Sequence, residues 1–248
     1  MQPLPAIVVL HGLGGTPRSV APLTEALREH GFSVTAPLLA GHGTNAADLE
    51  GLTWDTWLRA VTNHVRDRHV DHSTVVLVGQ SMGATLALAA AAELDCVIGV
   101  ASINGVSQPP DPDATDHFEY LLSRGRTRQR TGEADLRDPL ARDDSYTELP
   151  ISALMELGRG GAHVHARLNR LTVALLIISS DHDSVVDPVN SDLLAANVPG
   201  RVTRLRLANS GHVAALDFDR HLLCTQLLTW LVNLTDSSAD LPDESASS

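Results

Sequence analysis

Three residue types that can do nucleophilic chemistry together stand at the ends of apolar runs in this chain. The first is Ser81, in Gly79-Gln80-Ser81-Met82-Gly83. It follows the apolar run Thr74-Val75-Val76-Leu77-Val78 and precedes the helix-forming run Ala84 to Ala92. That order predicts a strand, a sharp turn and a helix, with the serine at the apex. Small residues on either side let the backbone pass close to itself. At a helix N-terminus, unpaired N–H groups and the helix dipole favour negative charge. A hydroxyl is a weak nucleophile alone, so a base and an orienting acid must follow.

Both follow. The run Val173 to Ile178 leads into Ser179-Ser180-Asp181-His182-Asp183, and the run Val202 to Ala208 leads into Asn209-Ser210-Gly211-His212. Each polar group then lies just after a strand, at the sheet end that also carries Ser81. The order serine, acid, histidine is that of the α/β-hydrolase fold and differs from the other common triad orders. The acid must reach His212 Nδ1, and periodicity does not choose between Asp181 and Asp183. A further strand pattern, Ala6 to Leu10, runs into the glycine-rich loop His11-Gly12-Leu13-Gly14-Gly15. Backbone N–H groups of Leu13 and Met82 would together form an oxyanion hole. The plain alternative for the loop is an ordinary tight turn after a strand.

The elements that must position these residues alternate. Strand and helix patterns succeed one another to about residue 105 and resume after about residue 170. Such alternation predicts a mostly parallel sheet with helices on both faces. The expected core is 1–106 with 171–235. Between them, 107–170 has a different character: it opens with Gln108-Pro109-Pro110-Asp111-Pro112, carries many charges, and shows a helical pattern from Pro150 to about Leu171. Leu121, Leu122, Leu154, Met155 and Leu157 are its apolar candidates, either lining a pocket or packing onto the core. The segment 236–248 is rich in Ser, Asp and Ala and is expected to be disordered.

These motifs resemble those of the bacterial monoacylglycerol lipases and related short-chain carboxylesterases. The matching stretches are His11 to Pro17, Gly41-His42-Gly43-Thr44, Gly79 to Gly83, Ser180 to Pro188, and Ser210-Gly211-His212-Val213-Ala214-Ala215-Leu216-Asp217. The resemblance implies an α/β-hydrolase fold with a small cap inserted after the sixth strand. It also implies a triad of Ser81, Asp183 and His212, and so favours Asp183 over Asp181. The small antiparallel strands that open many members of the superfamily are expected to be missing. Two departures stand out. The lipase elbow usually ends in two glycines, where this chain has Gly83-Ala84. The lipases place a glycerol-contacting glutamate just after the tyrosine that aligns with Tyr146. That position is Thr147, and Glu148 is one residue further on. The expected pocket residues are Gly12, His42, Leu121, Thr147, Glu148, Leu154 and Val185. Uncharged esters of short to medium acyl length are the expected substrates, without a strong monoacylglycerol preference.

Bulk properties narrow the classes. The chain has 248 residues and a formal net charge of −12, with no lysine. That charge disfavours nucleic acids, anionic membranes and anionic substrates. No apolar run approaches the roughly 20 residues that span a bilayer. The N-terminus leads directly into a strand pattern, so no export signal is expected and a cytoplasmic location is. Cys96 and Cys224 read as free thiols. The 12 histidines lack metal-ligand spacing, and Asp181, Asp183 and Asp187 lack the glycine of a calcium loop, so neither metal nor cofactor is expected. Arg124, Arg126, Arg128 and Arg130 alternate and read as a solvated face paired with Glu133, Asp135 or Asp138. Trp54 and Trp57 read as core anchors of one helix. The expected partner is a small-molecule ester, with the protein a monomer or homodimer. Other reactions open to the same triad are thioester, amide and carbon–carbon bond hydrolysis. A small-molecule receptor on a hydrolase scaffold is the non-catalytic alternative.

Overall fold

The structure is a computed structural model that describes residues 4–237. Its central sheet contains β1 (Ala6–Leu10), β2 (Ser33–Thr35), β3 (Val75–Gln80), β4 (Val97–Ile103), β7 (Ala174–Ser180) and β8 (Val202–Leu207), in the spatial order β2-β1-β3-β4-β7-β8. Every neighbouring pair in it is parallel. Near-continuous Val, Ile and Leu runs suit strands covered on both faces. The side chains of β1 divide accordingly. Ile7 and Val9 pack with Leu23 and Leu27 of α1 (Ala21–Glu29) and with Leu223 and Leu227 of α7 (Arg220–Ser237). Ala6, Val8 and Leu10 pack on the other face, with Trp57 and Val61 of α2 (Trp54–Asp71) and Leu86 of α3 (Met82–Ala91).

The chain runs from β1 out to β2, then returns to the other side of β1 as β3. This reversal opens a crevice at the carboxyl ends of β1 and β3, where open α/β sheets bind ligands. The glycine-rich loop after β1 and the turn after β3 flank that crevice.

Between the adjacent strands β4 and β7 the chain leaves the sheet. It forms α4 (Pro112–Ser123), an antiparallel pair of β5 (Arg128–Arg130) and β6 (Glu148–Pro150), and α5 (Ile151–His165). The expected helical stretch from Pro150 to Leu171 thus resolves into α5 and a single 3-10 turn, Leu168–Arg170. The insertion follows the fourth strand of this chain rather than a sixth, because no strand precedes β1 among the described residues. It is fastened to the core through α5. Glu156 Oε2 accepts the Trp54 N–H at 2.8 Å, one of the donors that the start of α2 leaves unpaired. A Cβ on Gly160 would fall 2.4 Å from the Trp54 ring, so only glycine permits this approach.

At the C-terminus, α7 includes Asp236 and Ser237, and the rest of the tail expected to be disordered, 238–248, lies outside the described residues. Among the described residues no helix is long and apolar enough to cross a membrane.

Candidate active site

Ser81 has φ 56° and ψ −123°, a strained conformation for a residue with a side chain. Two glycines make the turn possible. A Cβ on Gly79 would lie 2.3 Å from the Gly83 backbone, and one on Gly83 would lie 2.2 Å from Leu10 O. The departure at Ala84 is met by Gly105, whose own Cβ would fall 2.8 Å from that of Ala84. Ser81 N donates to Ile103 O at 2.9 Å, which ties the elbow to the end of β4.

His212 Nε2 lies 2.8 Å from Ser81 Oγ, and its Nδ1 lies 2.8 Å from Asp183 Oδ2. The other oxygen of Asp183 accepts the N–H groups of Val185 at 2.9 Å and Val186 at 2.8 Å. Its side chain is only 1% exposed, and both of its oxygens are engaged. Asp181, the rival in the sequence, points elsewhere and accepts from Arg206 Nε at 2.7 Å. The relay Asp183–His212–Ser81 is competent for proton transfer from the serine during attack on a carbonyl.

Two supporting residues escaped the sequence reading. Asn104 directly follows β4, has φ 50° and is buried. Its Nδ2 donates to His212 O at 2.9 Å and to Ser180 Oγ at 3.0 Å, and its Oδ1 accepts from Ser180 N at 2.9 Å. Gln80 Oε1 accepts the Ala215 N–H at 3.1 Å. Asn104-Gly105 is a turn signal, and Asn tolerates positive φ, but nothing local says what the amide binds.

The loop after β1 lies against the serine. A Cβ on Gly12 would stand 3.2 Å from Ser81 Cβ. Leu13 lines the cavity over the serine, and Met82 is the first residue of α3, whose N–H has no intrahelical partner. Beneath the loop, His11 Nε2 accepts the Leu39 N–H at 3.1 Å, so Nδ1 carries the proton donated to Gly12 O at 2.9 Å. Burial lowers the His11 pKa to about 4. His42 packs edge-on against it, ring centres 4.9 Å apart, and burial lowers its pKa too.

Ser81 and His212 open into a cavity of about 390 Å³. Leu13, Leu136, Leu149, Leu154, Leu157 and Val185 supply its apolar wall. Of the expected pocket residues, Gly12, Leu154 and Val185 are there. His42, Leu121, Thr147 and Glu148 do not line it. His42 and Leu121 are buried in packing. Thr147 is exposed, with its carbonyl accepting from Thr131 N at 2.9 Å, and Glu148 pairs with Arg130 across the β5–β6 ladder. The glycerol-contact position of the lipases is therefore turned away from the serine. Residues Thr131 to Asp135, with Asp143, Ser145 and Tyr146, form the polar wall; the sequence pattern offers Glu133 and Asp135 only as partners of the arginine stripe. The arginine stripe is solvated, but an ion pair runs from Arg128 to Glu50 at 2.9 Å. Asp138 instead meets Arg220 at 3.3 Å.

Residues 1–212 match the family described as serine aminopeptidase, S33. The chain belongs to that family. This S33 chain is 33% identical over 228 residues to the thermostable monoacylglycerol lipase of Bacillus sp. (strain H-257), an alignment covering 90% of this chain and 88% of the lipase. Among solved structures it is similar to one from work on LipS and LipT, two metagenome-derived lipolytic enzymes, with a TM-score of 0.85, 26% identity, and 94% and 96% of the two chains covered. The Paleococcus ferrophilus monoacylglycerol lipase shares the fold at a TM-score of 0.73 and 16% identity, over 94% of this chain and 97% of that one. The S33 chain thus has the α/β-hydrolase fold of a serine hydrolase.

Proposed function

We propose that this chain hydrolyses uncharged carboxylic esters through an acyl-enzyme on Ser81. The observation that carries the reading is the relay from Asp183 through His212 to Ser81 at the floor of a largely apolar cavity. Ser81 Oγ attacks the ester carbonyl as its proton passes to His212 Nε2. Asp183 holds Nδ1–H and stabilises the imidazolium. The N–H groups of Leu13 and Met82 receive the oxyanion. The C–O bond to the alcohol breaks, and the alcohol leaves with the proton from His212. Water, deprotonated by His212, then attacks the acyl-enzyme and releases the acid and Ser81.

We take 107–170 as the cap over this site and 1–106 with 171–235 as the core. The cavity volume lies at the low end for small-molecule sites, which supports short to medium acyl chains. Neither Thr147 nor Glu148 faces the cavity, which supports a broad ester range over a strict monoacylglycerol preference. The half-buried free thiols Cys96 and Cys224 suit a reducing cytoplasm.

An amide reading draws on Glu133 and Asp143 in the polar wall, which could hold a substrate ammonium. Turnover of p-nitrophenyl esters of graded length, of monoacylglycerols, and of aminoacyl p-nitroanilides decides between them. Ester turnover with fluorophosphonate labelling at Ser81 is the expected result. Anilide turnover without ester turnover would replace the reading.

A further inference from the structure

The insertion reaches the histidine and aspartate loops through Asp135. Asp135, on the loop between β5 and β6, accepts the Ser184 N–H at 2.9 Å and the His212 N–H at 3.1 Å, both on Oδ2. Its own carbonyl accepts the Val213 N–H at 3.2 Å. One carboxylate oxygen therefore holds the backbone of the residue after Asp183 and that of His212 itself. Those two loops must meet for the 2.8 Å contact between Asp183 and His212 to form. A Cβ on Gly211 would fall 2.7 Å from Asp135 O, so the neighbouring glycine is what admits the insertion this close.

The histidine loop answers in kind. Asp217, fully buried, accepts the N–H groups of Arg137 at 2.9 Å and Asp138 at 2.8 Å from the insertion, and that of Gly211 at 2.7 Å from its own loop. Each segment thus supplies a carboxylate to the backbone of the other. Bonds to a charged acceptor are roughly twice as strong as neutral ones. Pulling the insertion away here would strip Asp135 of the Ser184 and His212 N–H groups and Asp217 of two of its donors, and leave those N–H groups unpaired.

We propose that Asp135 is a positioning residue for the Asp183–His212 pair, and that the inner segment 135–138 of the cap is a fixed part of the catalytic centre. Any opening of the cap then takes place in α4 and the β5–β6 pair and leaves this latch closed. The inference rests on the ester-hydrolase reading of Ser81, Asp183 and His212. Asp135 lines the cavity, but its Oδ2 is taken up by two protein N–H groups, so its removal should act on the geometry of the relay more than on binding of the ester.

The test compares Asp135→Ala and Asp135→Asn with wild type, by kcat and KM on p-nitrophenyl butyrate, fluorophosphonate labelling rate at Ser81, and Tm. A loosened imidazole slows acylation, and misplacement on the ångström scale costs on the order of 100-fold. Asp135→Ala should therefore lose roughly 10- to 100-fold in kcat and in labelling rate, with KM changed by less than about threefold. Both N–H groups converge on one oxygen, and an amide oxygen can accept both. Asp135→Asn should therefore recover to within about fivefold of wild type. Asp135→Ala that keeps kcat and raises KM would overturn the proposal and make Asp135 a substrate contact. If Asp135→Ala does not fold, Asp135→Ser, whose hydroxyl is too short to hold both N–H groups, takes its place: kcat lowered at unchanged KM supports the latch, and unchanged kcat overturns it. Failure of the wild type itself to label at Ser81 or turn over any ester is a separate result, and counts against the ester-hydrolase reading.

Discussion

Asn104 Nδ2 donates to the backbone carbonyl of His212 at 2.9 Å, from a residue whose φ is 50°. The same amide joins the end of β4 to Ser180 at the end of β7. One side chain thus sets the height of the histidine loop relative to β4 and β7. Asn104→Ala loses three buried hydrogen bonds and keeps the unfavourable φ; Asn104→Gly loses the bonds but relieves the backbone. Both should lower kcat by roughly 10- to 100-fold, since imidazole placement suffers equally. Only the alanine variant should also show the extra backbone cost, about 1 kcal/mol, as a lower urea midpoint. Steady-state kinetics beside urea unfolding of the two variants checks the split.

The two aspartates after β7 should separate by orders of magnitude. Asp183→Asn leaves the imidazole free to take the wrong tautomer, a loss on the order of 10⁴ in kcat. Asp181→Asn breaks only a partly exposed pair with Arg206, worth no more than about 1 kcal/mol of stability, and should stay within about threefold of wild-type kcat. The comparison is of kcat for both variants on one p-nitrophenyl ester. The reverse ranking would transfer the orienting role to Asp181.

His11 makes stability depend on acid. Its folded pKa of about 4 lies below the ordinary 6.5, so between those values the unfolded chain binds a proton that the folded one refuses. Stability is complete above pH 6.5 and falls as the pH drops toward 4, by a total on the order of 3 kcal/mol. His42, also lowered by burial, adds in the same direction. Urea midpoints measured from pH 7 to pH 4.5 should fall for wild type, and fall less steeply for His11→Gln. Equal slopes would mean that His11 is not the group responsible.

Gly161 of α5 lies against the backbone at the start of the insertion. An added Cβ would lie 2.2 Å from Gln108 O, a backbone atom that cannot swing aside. Gly161→Ala should destabilise by roughly 1–3 kcal/mol, the usual cost of overpacking, despite the better helix propensity of alanine. A lowered Tm is the expected readout. An unchanged or raised Tm would show that α5 and the segment at Gln108 can shift apart.

Local pattern was enough for much of this protein. Buried parallel strands need continuous apolar runs, and a nucleophile elbow needs glycines at fixed offsets. Ala6–Leu10, Gly79–Gly83 and the two polar loops after Val173–Ile178 and Val202–Ala208 were therefore visible as written. So was the end of the sheet on which Ser81, Asp183 and His212 meet, since parallel strands all deliver their carboxyl ends to one side. Which aspartate reaches His212 was not visible in the spacing, because two residues in a loop differ by a turn and not by a period. The tertiary structure alone turned Asp183 inward and Asp181 toward Arg206. It also decided what the irregular segment between β4 and β7 does. Asp135 reads as a partner of the arginine stripe, and Asp217 as the end of the histidine motif, until the fold brings two loops far apart in sequence within hydrogen-bond reach. Side-chain direction in irregular chain follows from what packs against it, which no periodicity encodes. Thr147 and Glu148 turned away from the cavity, and Asp135 turned in, for that reason.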